Sequence, residues 1–148
     1  MKKITLLILA FILSACSIRA TTEFDKNLTK WQNAKVTHYR YNLFIGCFCA
    51  FTEEMPVTIE VNNGEIVSIT SIKGNVINPD DVPYESVKYY ADMSQLFDQL
   101  KDSLDQADKV EVTYDPTYGF PTSIAIDQIK QAMDDELYIT VDNFKILE

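Results

Sequence analysis

The chain has 148 residues, with 13 Lys and Arg against 22 Asp and Glu, a formal charge of −9 and 47% hydrophobic residues. That is one domain's length with enough apolar material for a single core, outside the low-hydrophobicity, high-charge composition of disordered chains. The acidic balance excludes a nucleic-acid partner, because phosphate neutralisation needs clustered Lys and Arg; a single histidine, His38, excludes mechanisms and zinc sites that need two.

Met1-Lys2-Lys3 precedes an apolar run from Ile4 to Leu13 and then Ser14-Ala15-Cys16. The run is about half of the ~20 residues that a spanning helix requires, so residues 1–15 read as a removable signal peptide. Leu13-Ser14-Ala15-Cys16 resembles the lipobox of bacterial lipoproteins, which implies cleavage before Cys16 and its modification with fatty acyl (palmitate-type) chains. More than one chain is what stable anchoring needs. The expected partner is a membrane, through this lipid anchor. The expected address is the extracytoplasmic side of the cell envelope, with the outer membrane favoured by Ser17 in place of Asp after the cysteine. Residues 16–22 then form the lipidated cysteine and a short tether, and residues 23–148 a single domain.

Phe24, Leu28, Trp31 and the aliphatic stem of Lys35 share one stripe of a helix predicted over Glu23 to Val36. Tyr39, Tyr41, Leu43 and Ile45 alternate with His38, Arg40, Asn42 and Phe44, the period of a strand with one face toward a core. Pro56 to Ile72 predicts a hairpin around Asn62-Asn63-Gly64. Of two registers, a three-residue loop pairing Val61 with Glu65 is preferred, because it puts Val57, Ile59, Val61, Val67 and Ile69 on one face. Lys73 to Tyr90 carries turn chemistry without a sustained period and is expected to be a long connection.

Asp92 followed by Gln95 resembles a capping box ahead of the stripe Met93, Leu96, Phe97, Leu100, Leu104 and Ala107. Asp98, Asp102, Asp105 and Asp108 then take that helix's solvent side. Three strands follow, marked by Val110, Val112 and Tyr114, by Ile124 and Ile126 after the turn Asp115-Pro116-Thr117-Tyr118-Gly119, and by Leu137, Ile139 and Val141. The expected fold is α+β, a mostly antiparallel sheet of about six strands with two helices on one face, in the order α-β-β-β-α-β-β-β.

These elements carry a resemblance. Trp31, Tyr39-Arg40-Tyr41, Cys47-Phe48-Cys49, the Asn63-Gly64 hairpin, Leu96-Phe97, Val112-Thr113-Tyr114-Asp115-Pro116, Gly119-Phe120-Pro121-Thr122 through Ile124-Ala125-Ile126-Asp127, and Asp134-Asp135-Glu136 resemble an uncharacterised family of bacterial exported proteins and lipoproteins, domain of unknown function 6174. The resemblance implies an envelope domain of α+β type and supplies no activity or site residues.

Two constellations remain for chemistry. Cys47 and Cys49 are the only thiols left once Cys16 is lipidated, and outside the inner membrane a bridge is the default. Residues two apart on an extended strand lie about 6.6 Å apart, at the far edge of disulfide geometry, so a bridge demands a bend, which Gly46 permits. Three readings stand: a turn clip, thiol–disulfide redox activity, and soft-metal binding; the missing Cys-x-x-Cys helix start and activating groups favour the clip. The acidic set Asp127, Asp134, Asp135 and Glu136, with Asp115 if the two loops share an end of the sheet, stands either as a cation site or as solvated turn caps; without EF-hand spacing the caps are favoured. No resident cofactor or metal is expected.

A Gly-x-Ser-x-Gly elbow and a phosphate-cradling glycine pattern are both absent. Tyr84, Tyr89, Tyr90 and Tyr118 fall in irregular segments, where they either form a binding surface or cover the open sheet face. The expected function is a lipid-anchored, non-enzymatic binding or scaffold domain with an envelope protein or peptide partner. The alternative is a thiol–disulfide redox protein using Cys47 and Cys49.

Overall fold

The structure is a computed structural model that describes residues 22–147; the expected signal peptide and the lipidation site Cys16 lie outside those residues. Helix α1 covers 22–34 and buries Phe24, Asn27 and Trp31. It stops where Lys35 adopts φ +52°, so Lys35 is an exposed terminator and not the last member of the apolar stripe. Strand β1 (His38–Gly46) keeps the predicted alternation, with Tyr39, Tyr41, Leu43 and Ile45 buried. Strands β2 (Val57–Asn62) and β3 (Glu65–Ser71) form the hairpin.

The hairpin register differs from the expected one. Asn62 pairs with Glu65 across a two-residue turn whose Asn63 and Gly64 have φ +52° and +78°, the paired positive values that match the twist of flanking strands. Val61 therefore faces Ile66, while Glu60 faces Ser68, leaving Val67 as an extra residue. That bulge shifts the phase, returning Ile69 to the core and leaving Val67 exposed. A strict period-two reading cannot anticipate a switch of face inside one strand.

The expected long connection contains helix α2 (Val82–Lys88), with Pro83 in its first turn, where a missing N–H is tolerated, and Val87 fully buried. With helix α3 (Met93–Gln106), the described order is α-β-β-β-α-α-β-β-β and not the single-helix insertion expected. Burial of Val87 and half-burial of Tyr84, not a sustained periodicity, hold α2 in place. The Asp92 carboxylate caps α3 by accepting the Ser94 N–H at 3.0 Å and the Tyr39 hydroxyl at 2.7 Å, in place of a reciprocal pair with Gln95.

Strands β4 (Lys109–Tyr114), β5 (Pro121–Asp127) and β6 (Glu136–Ile146) complete a six-stranded sheet in the order β3-β2-β1-β6-β5-β4, with every neighbouring pair antiparallel. The fold class is α+β. Phe24 of α1 meets Phe97 of α3 edge-on at 5.8 Å, so these two helices close over one face. A second bulge, with Asn143 at φ +51°, turns Phe144 onto that face, where it packs with Trp31, Tyr118 and Phe120. Among the described residues no helix is long and apolar enough to cross a membrane.

Beneath the helices, the Tyr41 hydroxyl donates to the Ala91 carbonyl at 2.8 Å, and the Tyr39 hydroxyl accepts the Met93 N–H at 3.1 Å while donating to Asp92. These bonds satisfy polar groups at the α2–α3 junction that would otherwise be orphaned inside the core. Burial pushes the pKa of both hydroxyls well above the ordinary tyrosine value.

At the β4–β5 turn, Asp115 accepts the Thr117 and Tyr118 N–H groups, and Gly119 takes φ +84° directly against α1. A Cβ on Gly119 would lie 2.5 Å from the Asn27 carbonyl oxygen. Gly119→Ala combines a left-handed backbone with that clash and is expected to destabilise the fold by about 2–4 kcal/mol. Urea unfolding measures this, and a loss of less than about 0.5 kcal/mol, within the ordinary scatter of surface substitutions, would contradict the close approach of α1.

Candidate functional site: the loop end of the sheet

Antiparallel order sorts the connections to two ends of the sheet. The β2–β3 and β4–β5 turns share one end. The segment after Gly46, the chain leaving β3 and the β5–β6 connection, residues 128–135, share the other. Asp115 is therefore at the opposite end of β5 from Asp127, and the two acidic loops do not meet.

At the loop end, Cys47 and Cys49 are joined by a disulfide with their Cα atoms 5.2 Å apart. The Cys49 N–H donates to the Cys47 carbonyl at 2.8 Å, which supplies the bend that the spacing demanded. Phe48, held between them, is 90% exposed. His38 begins β1 and Cys47 follows its end, so nine residues of strand, about 30 Å at ~3.3 Å each, separate the chain's only histidine from the sulfurs. His38 is instead 3.0 Å from Glu60, and Arg40 lies near the same end. Neither of these basic side chains reaches the sulfurs.

Next to the disulfide the uncovered face of the sheet carries two aromatic rings. Phe44 on β1 and Tyr138 on β6 are 42% and 54% exposed. Gly46 pairs with Tyr138, and a Cβ on Gly46 would meet the Phe44 ring at 3.0 Å and the Tyr138 Cβ at 3.5 Å. The missing side chain at Gly46 leaves room for the Phe44 ring beside the Tyr138 position. Beside Tyr138, Lys109, Glu111, Asp127 and Glu136 border a depression of about 200 Å³. Lys109 binds Glu111 at 2.8 Å, and this contact raises the Lys109 pKa, with Asp127 adding to it.

The β5–β6 connection is pinned by carboxylates bound to its own backbone. Asp135 accepts the Ile129 N–H and Asp108 accepts the Lys130 N–H, both at 2.7 Å. Ile129 and Met133 project outward, Met133 being 89% exposed. Of the four acidic residues singled out from sequence, Asp127 and Glu136 are register partners, Asp135 is committed to the loop backbone, and Asp134 is exposed at φ +66°. Among the described residues no three His, Cys, Asp or Glu side chains are grouped to hold a metal ion.

The loop tyrosines do not cover the open face. Tyr118 packs on Phe144, Tyr84 and Tyr90 lie half-buried against the core on the helix side, and Tyr89 stays 59% exposed beside α3. Sequence reasoning missed Tyr138 and the tips Ile129 and Met133. One signal was present: Phe44 and Tyr138 are aromatic residues in the outward phase of their strands, where solvation alone would favour polar residues.

A six-stranded antiparallel α+β domain with one bare sheet face and an apolar, acidic loop end defines the class of this protein. Within it, the chain belongs to the family of unknown function DUF6174, whose pattern matches residues 23–146, from α1 through the end of β6. No curated protein and no solved structure matches the chain.

Proposed function

We propose that the protein is a lipid-anchored, non-enzymatic domain of the cell envelope that binds another envelope component. Anchoring is carried by one observation, the apolar run ending in Leu13-Ser14-Ala15-Cys16. Its consequence is positional. From Cys16 to Thr22 the chain reaches at most about 20 Å even when fully extended, so the domain is held close to the bilayer by α1. Binding is supported by the exposed apolar residues Phe44, Phe48, Ile129, Met133 and Tyr138 toward the far end of the sheet, side chains that solvation alone does not favour there. The disulfide enters this reading as a clip that presents Phe48.

Cys16→Ser tests the anchor. In the native host, the variant is expected to lose incorporation of a labelled fatty acid and to leave the detergent phase on phase separation, while the unaltered protein stays in it. Retained label or unchanged partition would overturn the anchored reading.

A further inference from the structure

Five of the exposed apolar residues, Phe44, Phe48, Ile129, Met133 and Tyr138, stand toward the loop end of the sheet, which also carries a group of carboxylates. Glu111, Asp127 and Glu136 border the depression beside Tyr138, and Asp134 is exposed in the same connection as Ile129 and Met133. Two lysines stand with them, Lys109 bound to Glu111 and Lys130 exposed next to Ile129, so these carboxylates outnumber the cations four to two. At the turn end cations and carboxylates alternate: on the uncovered face Arg40 lies between its register partners Lys145 and Glu60, and Lys30 of α1 reaches the Pro116 carbonyl near Asp115. Because α1 lies against the β4–β5 turn, the start of the domain is at the turn end. A membrane tether there directs the loop end outward, about a strand length, ~30 Å, from the point of attachment.

Resting on the anchored reading above, we propose that the loop end, centred on Phe48, Tyr138 and Met133, is the docking surface for a basic, amphipathic segment of a second envelope protein. The charge pattern selects this occupant. An anionic bilayer or a second copy of this acidic chain brings like charge to the patch, whereas a segment with apolar residues on one face and Lys or Arg on the other satisfies both features. The large, rigid Phe48 and Tyr138 rings supply anchors with little side-chain entropy to lose, and the carboxylate rim supplies steering.

The test uses the chain from Ser17 onward, which retains every core residue, and two synthetic amphipathic helices, one patterned with Lys and Leu and one with Glu and Leu. The Lys-Leu peptide is expected to bind, more weakly as salt rises, with amide shifts centred on residues 44–49 and 129–138. The double variant F48S/M133S is expected to weaken binding about tenfold or more, on the scale of losing hot-spot side chains, with an unchanged unfolding midpoint because both side chains are exposed. Equal binding of the Glu-Leu peptide, an unchanged Kd in F48S/M133S, or shifts centred on Arg40 and Lys145 would overturn the proposal. So would dimerisation, or sedimentation with phosphatidylcholine vesicles, that F48S/M133S abolishes, since either assigns the patch to another occupant. The peptide arm needs no lipid, so its failure leaves the Cys16→Ser result standing, and the two readings fail separately.

Discussion

Replacing Trp31 with alanine is expected to cost about 3–5 kcal/mol, the range for a large aromatic removed from a core, and with it a large fraction of the stability of a domain this size. Trp31 is 8% exposed and meets three rings edge-on, Tyr39 at 5.5 Å and Phe120 and Phe144 each at 6.0 Å. Those rings belong to β1, to the chain between β4 and β5, and to β6 beyond its bulge. One side chain thus fastens α1 to three separate parts of the sheet. The cavity left by alanine cannot be filled by small adjustments, because its walls are aromatic rings already packed against one another. Urea unfolding followed by circular dichroism measures the loss. Trp31 is also the only tryptophan, so in the unaltered protein its fluorescence reports the undocking of α1 directly. A loss near 1 kcal/mol would mean that α1 is an appendage rather than part of the core.

Alkaline pH is the second lever. Burial raises the pKa of Tyr39, Tyr41, Tyr90 and Tyr114 above the ordinary value of 10.0. In the unfolded chain these hydroxyls ionise near that value, whereas in the folded chain Tyr39 and Tyr41 hold their protons in bonds to Asp92 and to the Ala91 carbonyl. Above pH 10 the folded state therefore binds more protons than the unfolded state, so stability is intact below that pH and falls as pH rises. Each retained proton costs about 1.4 kcal/mol per pH unit. Tyr39 and Tyr41 alone thus remove about 3 kcal/mol per unit, enough to unfold the domain within a few units of pH 10. The expected record is cooperative unfolding in which tyrosinate absorbance rises together with loss of the folded circular dichroism signal. Tyr41→Phe should flatten the pH slope while lowering neutral-pH stability by about 1–3 kcal/mol, because it leaves buried carbonyls unpaired. Smooth tyrosine titration near pH 10 with the fold intact would refute the buried network.

The legible part of the fold was the part written in local periodicity. Tyr39, Tyr41, Leu43 and Ile45 announced β1 and its buried face, and Met93, Leu96, Phe97 and Leu100 announced α3, because burial on one face imposes a repeat that survives in the sequence. The β2–β3 register was not legible, because a bulge at Val67 costs one exposed valine and returns Ile69 to the core, a trade made by the whole sheet. Helix α2 was hidden for a related reason: a seven-residue helix that packs through Val87 and a half-buried Tyr84 is too short to show a repeat. Within the candidate site, the cysteine spacing foretold the bend. The placement of Phe44, Tyr138, Ile129 and Met133 toward one end of the sheet was invisible, because they lie far apart in sequence and only strand pairing and the strand order bring their segments to that end.

By itself the sequence determined the α+β class, the antiparallel meanders, the inward and outward phases of most strands, and an acidic, histidine-poor composition. Only the tertiary structure decided which loops share an end, that Asp115 stands apart from Asp127, that His38 stands apart from Cys47, and that the tyrosine-bearing segments leave the open face bare. Periodicity fixes which way a side chain points within its own element, and it acts over a few residues. Which elements become neighbours depends on pairing and packing between distant segments, and that information is shared across the whole chain.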